Sequence, residues 1–452
     1  MKVEIPKSLE FLIKNAGVPV YVVGGYVRNS LRGLKPTDID LAGPAPVSAL
    51  RLPSKYRVKT VNFRLGTAQI KCGKEVYEYT PFRLENYDKG HTPSEVCFTT
   101  DIRRDALRRD FTCNSVYYDA VNDELLDFVG GISDIEKGIL RSYRPDKILS
   151  ADGLRILRLI RFACQLGFKI DGTTANVAME KAELLKEISQ ERKRDELNKM
   201  LIADTANGVD QAHYRAMKLM FKMGIFKFMI PEIEQCRDVK QNPQFHKYDV
   251  AEHTFRTVAY APPKVRLAAL FHDLGKAYCM EKHGNMHGHE LVGAQIVEHR
   301  MGYYGLRYSN DEIAFVKRLV MHHMYDMAGN TSPAKVRRFV AANFDIIDDL
   351  VDLINADRLA TGMITRDELG ENRFTAVKWE IIESGAPVYV SDLEIDGNDC
   401  IEAGLGGEEI GTFLEEMLDM CLQNPSLNKK TWLMERATAR AERAKATKAE
   451  AK

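Results

Sequence analysis

The residues best suited to chemistry begin at Asp38-Ile39-Asp40-Leu41, a little downstream of Gly24-Gly25-Tyr26-Val27-Arg28. On a strand, carboxylates two apart share one face while Ile39 and Leu41 take the other. Two carboxylates on one face can hold two magnesium ions, the usual arrangement for in-line phosphoryl or nucleotidyl transfer. Upstream, Val20-Tyr21-Val22-Val23 reads as a buried strand ending in a glycine turn. There Gly24 and Gly25 would bring backbone N–H groups to a phosphate, and Arg28 would add a fixed cation. An isolated Asp-x-Asp would read as an acidic surface loop; the segments that follow favour catalysis.

Glu78, in the strand-like run Glu78-Tyr79-Thr80-Pro81-Phe82-Arg83, could be a third carboxylate, and an exposed strand glutamate is nearly as good a reading. Arg108-Arg109-Asp110-Phe111-Thr112-Cys113-Asn114-Ser115 joins arginines suited to phosphate with an aspartate able to accept from a ribose hydroxyl. The alternative is an Arg-Asp surface salt bridge. Asn114 is taken with this nucleotide-binding set. In Asp152-Gly153-Leu154-Arg155-Ile156-Leu157-Arg158-Leu159-Ile160-Arg161-Phe162, a helix would put Asp152 and Arg155 on one face. A carboxylate acceptor beside a guanidinium donor can read the pairing edge of cytosine or adenine, whereas guanine and uracil present the wrong polarity. Arg158 and Arg161, further round, could meet phosphate. An amphipathic helix with an internal Asp152–Arg155 pair is the plainer reading. In Glu191-Arg192-Lys193-Arg194-Asp195-Glu196-Leu197, buttressing ion pairs are as good a reading as substrate contact.

A second cluster follows: His253, His272-Asp273, His289, His322-His323 and Asp357, spread over helical segments. Imidazoles with carboxylates can hold one or two divalent transition metals and activate a water for phosphoester hydrolysis. A lone His-Asp pair is usually an ordinary hydrogen-bonded couple. Five or six such groups within about a hundred residues are harder to explain that way.

These groups need elements to position them. Residues 1–140 mix short β-rich runs (Val20–Val23, Glu75–Thr80, Ser115–Tyr118) with short helices, and from about 141 the periodicity is helical. The 452 residues exceed one ordinary core. The reading is a head over 1–140, a helical neck for base selection and RNA binding over 141–230, a metal-binding helical domain over 245–365, and a helical tail over 366–452, with a linker near 231–245. Residues Lys429–Lys452, rich in Ala, Lys, Arg and Glu, read as a solvated or fraying helix. Lys+Arg and Asp+Glu both number 64, so nucleic-acid binding must rest on local basic faces. The eight scattered cysteines lack a Cys-x-x-Cys pair and read as reduced thiols of a cytoplasmic protein. The start lacks a signal-peptide core and no apolar run is long enough to span a membrane, which predicts a soluble protein.

Taken together, the segments from about residue 20 to 200 resemble class II tRNA nucleotidyltransferases, the CCA-adding enzymes, which share their head with bacterial poly(A) polymerases. The likeness runs through the Gly-Gly turn with Asp-x-Asp, the Arg-Arg-Asp-Phe-Thr segment, Asp127-Phe128-Val129-Gly130-Gly131, the Asp-x-x-Arg segment and Glu191-Arg192. It implies that Asp38 and Asp40 bind magnesium, that Arg109 and Asp110 contact triphosphate and ribose, that Asp152 and Arg155 select the base, and that Arg158 lies near the phosphates. The segment from Arg83 to Arg108, including Asn86-Tyr87-Asp88-Lys89-Gly90-His91-Thr92-Pro93, corresponds to the flexible loop between the carboxylate strands and the Arg-Arg-Asp motif, which in the family supports the switch from C to A addition. Departures are Asn29 for the usual aspartate, Ala151 for the glutamate before Asp152, and Asp127-Phe128-Val129 for Asp-Pro. The second cluster resembles the HD phosphohydrolase domain: His253, His272, Asp273 and Asp357 fit its pattern. His289 and His323 fit the extra histidines of binuclear members, ahead of His322 and His287. That implies a phosphatase or 2′,3′-cyclic phosphodiesterase acting on RNA ends.

The resulting expectation is an α/β, polymerase-beta-like nucleotidyltransferase head followed by a mostly α-helical body containing an all-α HD domain. It would add CCA to the tRNA acceptor end from CTP and ATP with Mg2+, and use one or two divalent transition metal ions in the HD site. The rivals are a poly(A) polymerase or a CC- or A-adding enzyme and, from another class, an HD phosphohydrolase whose head only binds RNA.

Overall fold

The computed structural model describes residues 3–86 and 95–450. Tyr87–Pro93 of the loop segment lie outside the described residues. The chain forms two compact units, Met1–Arg237 with His299–Asn310, and Asp238–Glu298 with Asp311–Lys452.

The first unit opens with α1 (Lys7–Asn15), β1 (Tyr21–Val23), α2 (Gly25–Leu31), β2 (Ile39–Gly43), β3 (Arg57–Asn62), β4 (Thr67–Cys72) and β5 (Glu75–Pro81). A hairpin, β6 (Arg83–Asn86) with β7 (Glu95–Phe98), leads to α3 (Ile102–Arg108), β8 (Tyr117–Asp119), β9 (Glu124–Leu126) and α4 (Gly131–Lys137). Seven strands form one sheet in the order β3-β4-β5-β2-β1-β8-β9. Only β2 and β5 run parallel; the other pairs are antiparallel. Strand alternation sorts the side chains. Ile39, Leu41, Ala68, Ile70, Tyr77 and Tyr79 are buried on one face, while Asp40, Lys71 and Glu78 are exposed on the other. The turn from β1 into α2 needs Gly24, whose φ is +81°.

The neck follows with β10 (Ile139–Leu140), α5 (Pro145–Ala151), α6 (Leu154–Leu166), β11 (Lys169–Ile170), α7 (Gly172–Glu180), α8 (Gln190–Leu201), α9 (Ala203–Asn207), α10 (Ala212–Lys222) and α11 (Pro231–Gln235). Pro145 starts α5, Asp171 caps α7 at Thr174 N, and Ser189 caps α8 at Arg192 N. Helix α6 buries Ile156, Leu157, Leu159 and Ile160, so it is the neck's central helix. It starts two residues later than the sequence pattern suggested. Asp152 lies outside it in extended backbone (φ −149°, ψ 109°) and accepts from Leu154 N at 3.0 Å. Asp152 and Arg155 therefore do not share a helix; the carboxylate takes the local backbone bond that aspartate offers at helix starts.

The second unit is helical: α12 (Val250–Tyr260), α13 (Arg266–Phe271), α14 (Gly275–His283), α15 (His289–Met301), α16 (Asn310–His322), α17 (Pro333–Ala342), α18 (Ile347–Ala360), α19 (Arg373–Glu383), α20 (Gly397–Glu402), α21 (Glu408–Gln423) and α22 (Lys430–Glu450). Helix α12 packs on α13 and α18. The carboxy-terminal segment departs from the solvated helix expected of it. Leu433, Ala437 and Ala441 form an i, i+4, i+8 stripe buried with Cys400, Phe413, Met417 and Cys421. Alanines supply that stripe, so composition alone disguised a packed face. All eight cysteines are free thiols. Among the described residues no helix is long and apolar enough to cross a membrane.

Candidate nucleotide and metal sites

The register of the head sheet sets Asp40 beside Glu78 across the parallel β2–β5 pair, and beside Val23 across β1–β2. Side chains paired in this way point to the same face, so Glu78 joins Asp40 there. Asp38 precedes Ile39 at the start of β2 and is exposed. A Cβ on Gly24 would come within 3.0 Å of Asp40 Oδ2, so glycine keeps the space beside that carboxylate clear. Crowding by the surrounding chain and the charge of Glu78 raise the Asp40 carboxyl to about 6, against the opposing pull of Arg109 and Arg158. Carboxylate oxygens gathered on one face in this way suit a hard divalent cation.

Behind the row lies a network of arginines. Asp110 Oδ2 accepts from Arg158 Nε at 3.0 Å and from its terminal nitrogen at 2.6 Å. Asp110 Oδ1 accepts from Asn114 at 3.2 Å and from Phe111 N at 2.8 Å. Burial would raise the Asp110 carboxyl, but Arg158 brings it down to about 2. Asn114 Oδ1 in turn accepts from Arg28. Arg28, expected from sequence to be a fixed cation for a phosphate, has its guanidinium engaged by neighbouring side chains. It is buried, donates to Asn29 Oδ1 at 3.0 and 3.1 Å, and lies over the Phe162 ring. Desolvation in that setting lowers its pKa. Asn29, in place of aspartate, keeps both hydrogen bonds.

Arg109 is held by its own neighbours. It donates to Asp105 Oδ2 at 3.0 and 3.2 Å and to the Tyr117 hydroxyl at 2.9 Å. Arg108 grips Asp105 Oδ1 at 2.7 and 2.8 Å. Asp105, fully buried, is thus the hub of the paired arginines, and sequence reasoning missed it. Its spacing of three and four from them on α3 was the available signal. The motif at Asp127 is a turn: its carboxylate accepts from the N–H groups of Val129, Gly130, Gly131 and Ile132. A Cβ at Gly131 would lie 2.2 Å from Thr112 O, so that turn locks onto the Arg-Arg-Asp-Phe-Thr segment.

At the start of α6, Asp152 Oδ2 accepts from Arg192 of α8 at 2.8 Å, and Arg155 donates to Ile148 O at 3.0 Å. Of the two readings of the 191–197 segment, Arg192 takes the buttressing one. Arg161, expected near phosphate, is instead buried with Glu196 at 2.7 Å and Gln165 at 3.0 Å. It points into the neck because its helix is buried nearly all round.

In the second unit, His253, His272, Asp273, His289, His323 and Asp357 converge, all buried. Asp273 sits between two groups. Its Oδ2 is 3.2 Å from Nε2 of both His253 and His272, with Asp357 Oδ1 2.8 Å from His253 Nε2. Its Oδ1 is 3.2 Å from His289 Nε2 and 3.8 Å from His323 Nε2. Nδ1 of His272, His289 and His323 lies 2.8, 2.8 and 2.7 Å from the carbonyls of Ala269, Met286 and Val320. A carbonyl only accepts, so each ring is protonated on Nδ1, which leaves Nε2 as the nitrogen that a neutral ring would offer to a metal. Those Nε2 atoms face each other at 3.4 Å in the pairs His253–His272 and His289–His323. Burial would lower His272, yet Asp273 and Asp357 lift it to about 10. A divalent cation would displace the Nε2 protons and meet facing Nε2 atoms around a central carboxylate, and the mixed N/O donors fit transition metals. His322 stands apart, its ring against Phe339. His246, which the sequence did not single out, lies with its ring 4.8 Å from that of His253 and its Nδ1 buried without a partner.

Residues 20–141 match the family model described as the Poly A polymerase head domain. Residues 167–236 match "Probable RNA and SrmB- binding site of polymerase A" and residues 250–362 match the HD domain. The chain thus matches, in order, a polymerase-A-type head, a further polymerase-A segment and an HD domain, and the nucleotidyltransferase and HD domain types generally use divalent metals. More particularly, it is 37% identical over 192 residues to the CCA-adding enzyme of Lactiplantibacillus plantarum, covering 42% of this chain and 47% of that one. It is 38% identical over 248 residues to the CCA-adding enzyme of Bacillus pumilus, covering 54% and 60%. The chain spans about half the length of the curated relatives it matches. The crystal structure of Bacillus stearothermophilus CCA-adding enzyme in complex with CTP shares the fold, with a TM-score of 0.67 at 21% identity over 96% of this chain and 98% of that chain.

Proposed function

We propose that the chain adds CCA, without a nucleic-acid template, to the 3′ end of tRNA from CTP and ATP. The observation that carries this is the convergence of the Asp38, Asp40 and Glu78 row with Arg109 and Arg158, whose charges reach Asp40. Asp38 and Asp40, with Glu78 at the side, would hold magnesium, which when bound supplies the positive charge that in-line transfer at the α-phosphate needs. Gly24 leaves room at the carboxylates for the triphosphate. Arg109, oriented by Asp105, and Arg158, oriented by Asp110, present fixed cations to it. Arg192 orients Asp152 just ahead of α6, and Arg155 stands in the first turn of that helix, so that an acceptor and a donor would meet the base edge. The names of the relatives favour CCA addition over poly(A) synthesis.

The HD cluster supports a second activity, hydrolysis of a phosphomonoester or 2′,3′-cyclic phosphate at RNA ends. His253, His272, Asp273 and Asp357 would hold one transition metal ion, and His289 and His323, with Asp273 shared, a second. Eight free thiols suit a reducing compartment, and we place the protein in the cytoplasm.

The direct test incubates the protein with a tRNA transcript lacking its CCA, magnesium, and CTP and ATP separately and together. Addition of C, C and A that then stops is expected. Long A tails would move the assignment to poly(A) synthesis, and no extension would refute the proposal.

A further inference from the structure

The open face of the head sheet continues outward from the carboxylates. Across neighbouring strands the register runs Asp40, Glu78, Gln69, Lys59. The next row runs Val76, Lys71, Arg57. Side chains so paired share a face, so Lys59, Lys71 and Arg57 lie on the catalytic face, two to three strand spacings from Asp40, or roughly 10–15 Å. All three are exposed and have no carboxylate partner among the described residues. Arg57 and Lys71 stand directly opposite each other, a like-charge pair that costs stability unless an anion bridges it. At the β3–β4 turn Phe63 is 92% exposed, the most exposed large hydrophobic side chain among the described residues.

We propose that this edge, Arg57, Lys59 and Lys71, binds the phosphate backbone of the RNA primer strand leading to the carboxylates, with Phe63 stacking on one of its bases. The inference rests on the nucleotide-adding reading of the head. Three cations without a carboxylate partner among the described residues, on the face of the carboxylate row and the row beside it, complement a polyanion, and an exposed aromatic ring at the end of β3 is the partner an unpaired base takes. A nucleoside triphosphate would need its cations at the carboxylates, where Arg109 and Arg158 already stand. This edge is too far out for that and in line for the strand that ends there.

The test uses the full chain and the variant Arg57→Gln/Lys59→Gln/Lys71→Gln. Binding of a tRNA transcript lacking CCA is followed by fluorescence anisotropy across a salt series, and KM is measured separately for tRNA and for CTP. The variant should bind tRNA at least tenfold more weakly. The slope of log affinity against log salt should flatten by about 2, from about 0.7 per single-strand phosphate contact. KM for CTP should stay within twofold, and the thermal midpoint should not fall, since the Arg57–Lys71 repulsion is relieved. Phe63→Ala should weaken tRNA binding at least fivefold without changing the slope. An unchanged affinity and slope in a variant of an enzyme that still extends tRNA would overturn this inference alone. A rise in KM for CTP in place of tRNA would overturn it in favour of a triphosphate site. A wild-type protein that neither binds nor extends tRNA would overturn it together with the nucleotide-adding reading.

Discussion

Replacing Asp105 with asparagine keeps the shape of the side chain and removes the charge that gathers Arg108, Arg109 and Tyr117. Burial alone would raise this carboxyl, yet Arg109, Arg108 and the Tyr117 hydroxyl bring it from 3.8 to about 2. At about 1.4 kcal/mol per pKa unit, the charged form contributes about 2 kcal/mol to folding. The folded pKa lies below the unfolded one, so this stabilisation is complete above about pH 4 and is lost as pH falls through 2. Leaving two arginines uncompensated can cost about 3–5 kcal/mol when they are buried; side-chain exposures of 16% and 18% put the cost near the lower end. Asp105→Asn is therefore expected to destabilise the head by about 2–3 kcal/mol at pH 7, and by less as the pH approaches 2. Both tryptophans, Trp379 and Trp432, lie in the second unit, so fluorescence would miss the effect. Hydrogen exchange of peptides from β8 and α3 in a urea series reads it directly. A β8 stability within 0.5 kcal/mol of wild type, on the scale of roughly 1 kcal/mol for an ordinary hydrogen bond, would refute this account of the hub.

Glu196→Gln should cost about 3 kcal/mol of first-unit stability by stranding buried Arg161, while KM for CTP stays near wild type; a raised KM with intact stability would restore Arg161 to the nucleotide site. Arg192→Ala should raise KM for CTP and ATP together by about tenfold, the worth of one charged hydrogen bond at Asp152, as steady-state kinetics would show. Because Asp40 titrates near 6, the magnesium concentration for half-maximal addition should climb about tenfold per pH unit below 6 and level off above it; a flat profile in a magnesium titration would contradict the carboxylate row. His323→Ala should lower the transition-metal content of the HD domain by one ion, and Asp273→Asn should abolish hydrolysis of 2′,3′-cyclic phosphates, by elemental analysis and phosphate release.

Much of the head could be read from sequence because alternation is a local signal. Ile39 and Leu41 against Asp40, and Tyr77 and Tyr79 against Glu78, fix which face each carboxylate takes. The pairing of β2 with β5 that brings Glu78 to Asp40 is a long-range event, and no local pattern announces it. Local signals also misdirect where two polar groups compete for one partner. The adjacent arginines read as a phosphate clamp, with no sign that Asp105 of α3 holds them both. Arg161 has the same spacing from Arg158 as Arg158 has from Arg155, yet only tertiary packing reveals that Glu196 waits beneath it. In the second unit the histidines and aspartates that converge could be picked out from residue types. The bridging position of Asp273 and the carbonyls that fix three histidine tautomers could not, because backbone oxygens leave no trace in a sequence.

The central claim is that nucleotide addition belongs to the head carboxylates and is separate from the HD cluster. Single-nucleotide-resolution extension of a tRNA transcript lacking CCA by two variants, Asp40→Asn and Asp273→Asn, tests it most directly. Asp273→Asn is expected still to add C, C and A and stop, while Asp40→Asn adds nothing. Full extension by Asp40→Asn, or its loss in a folded Asp273→Asn protein, would contradict it.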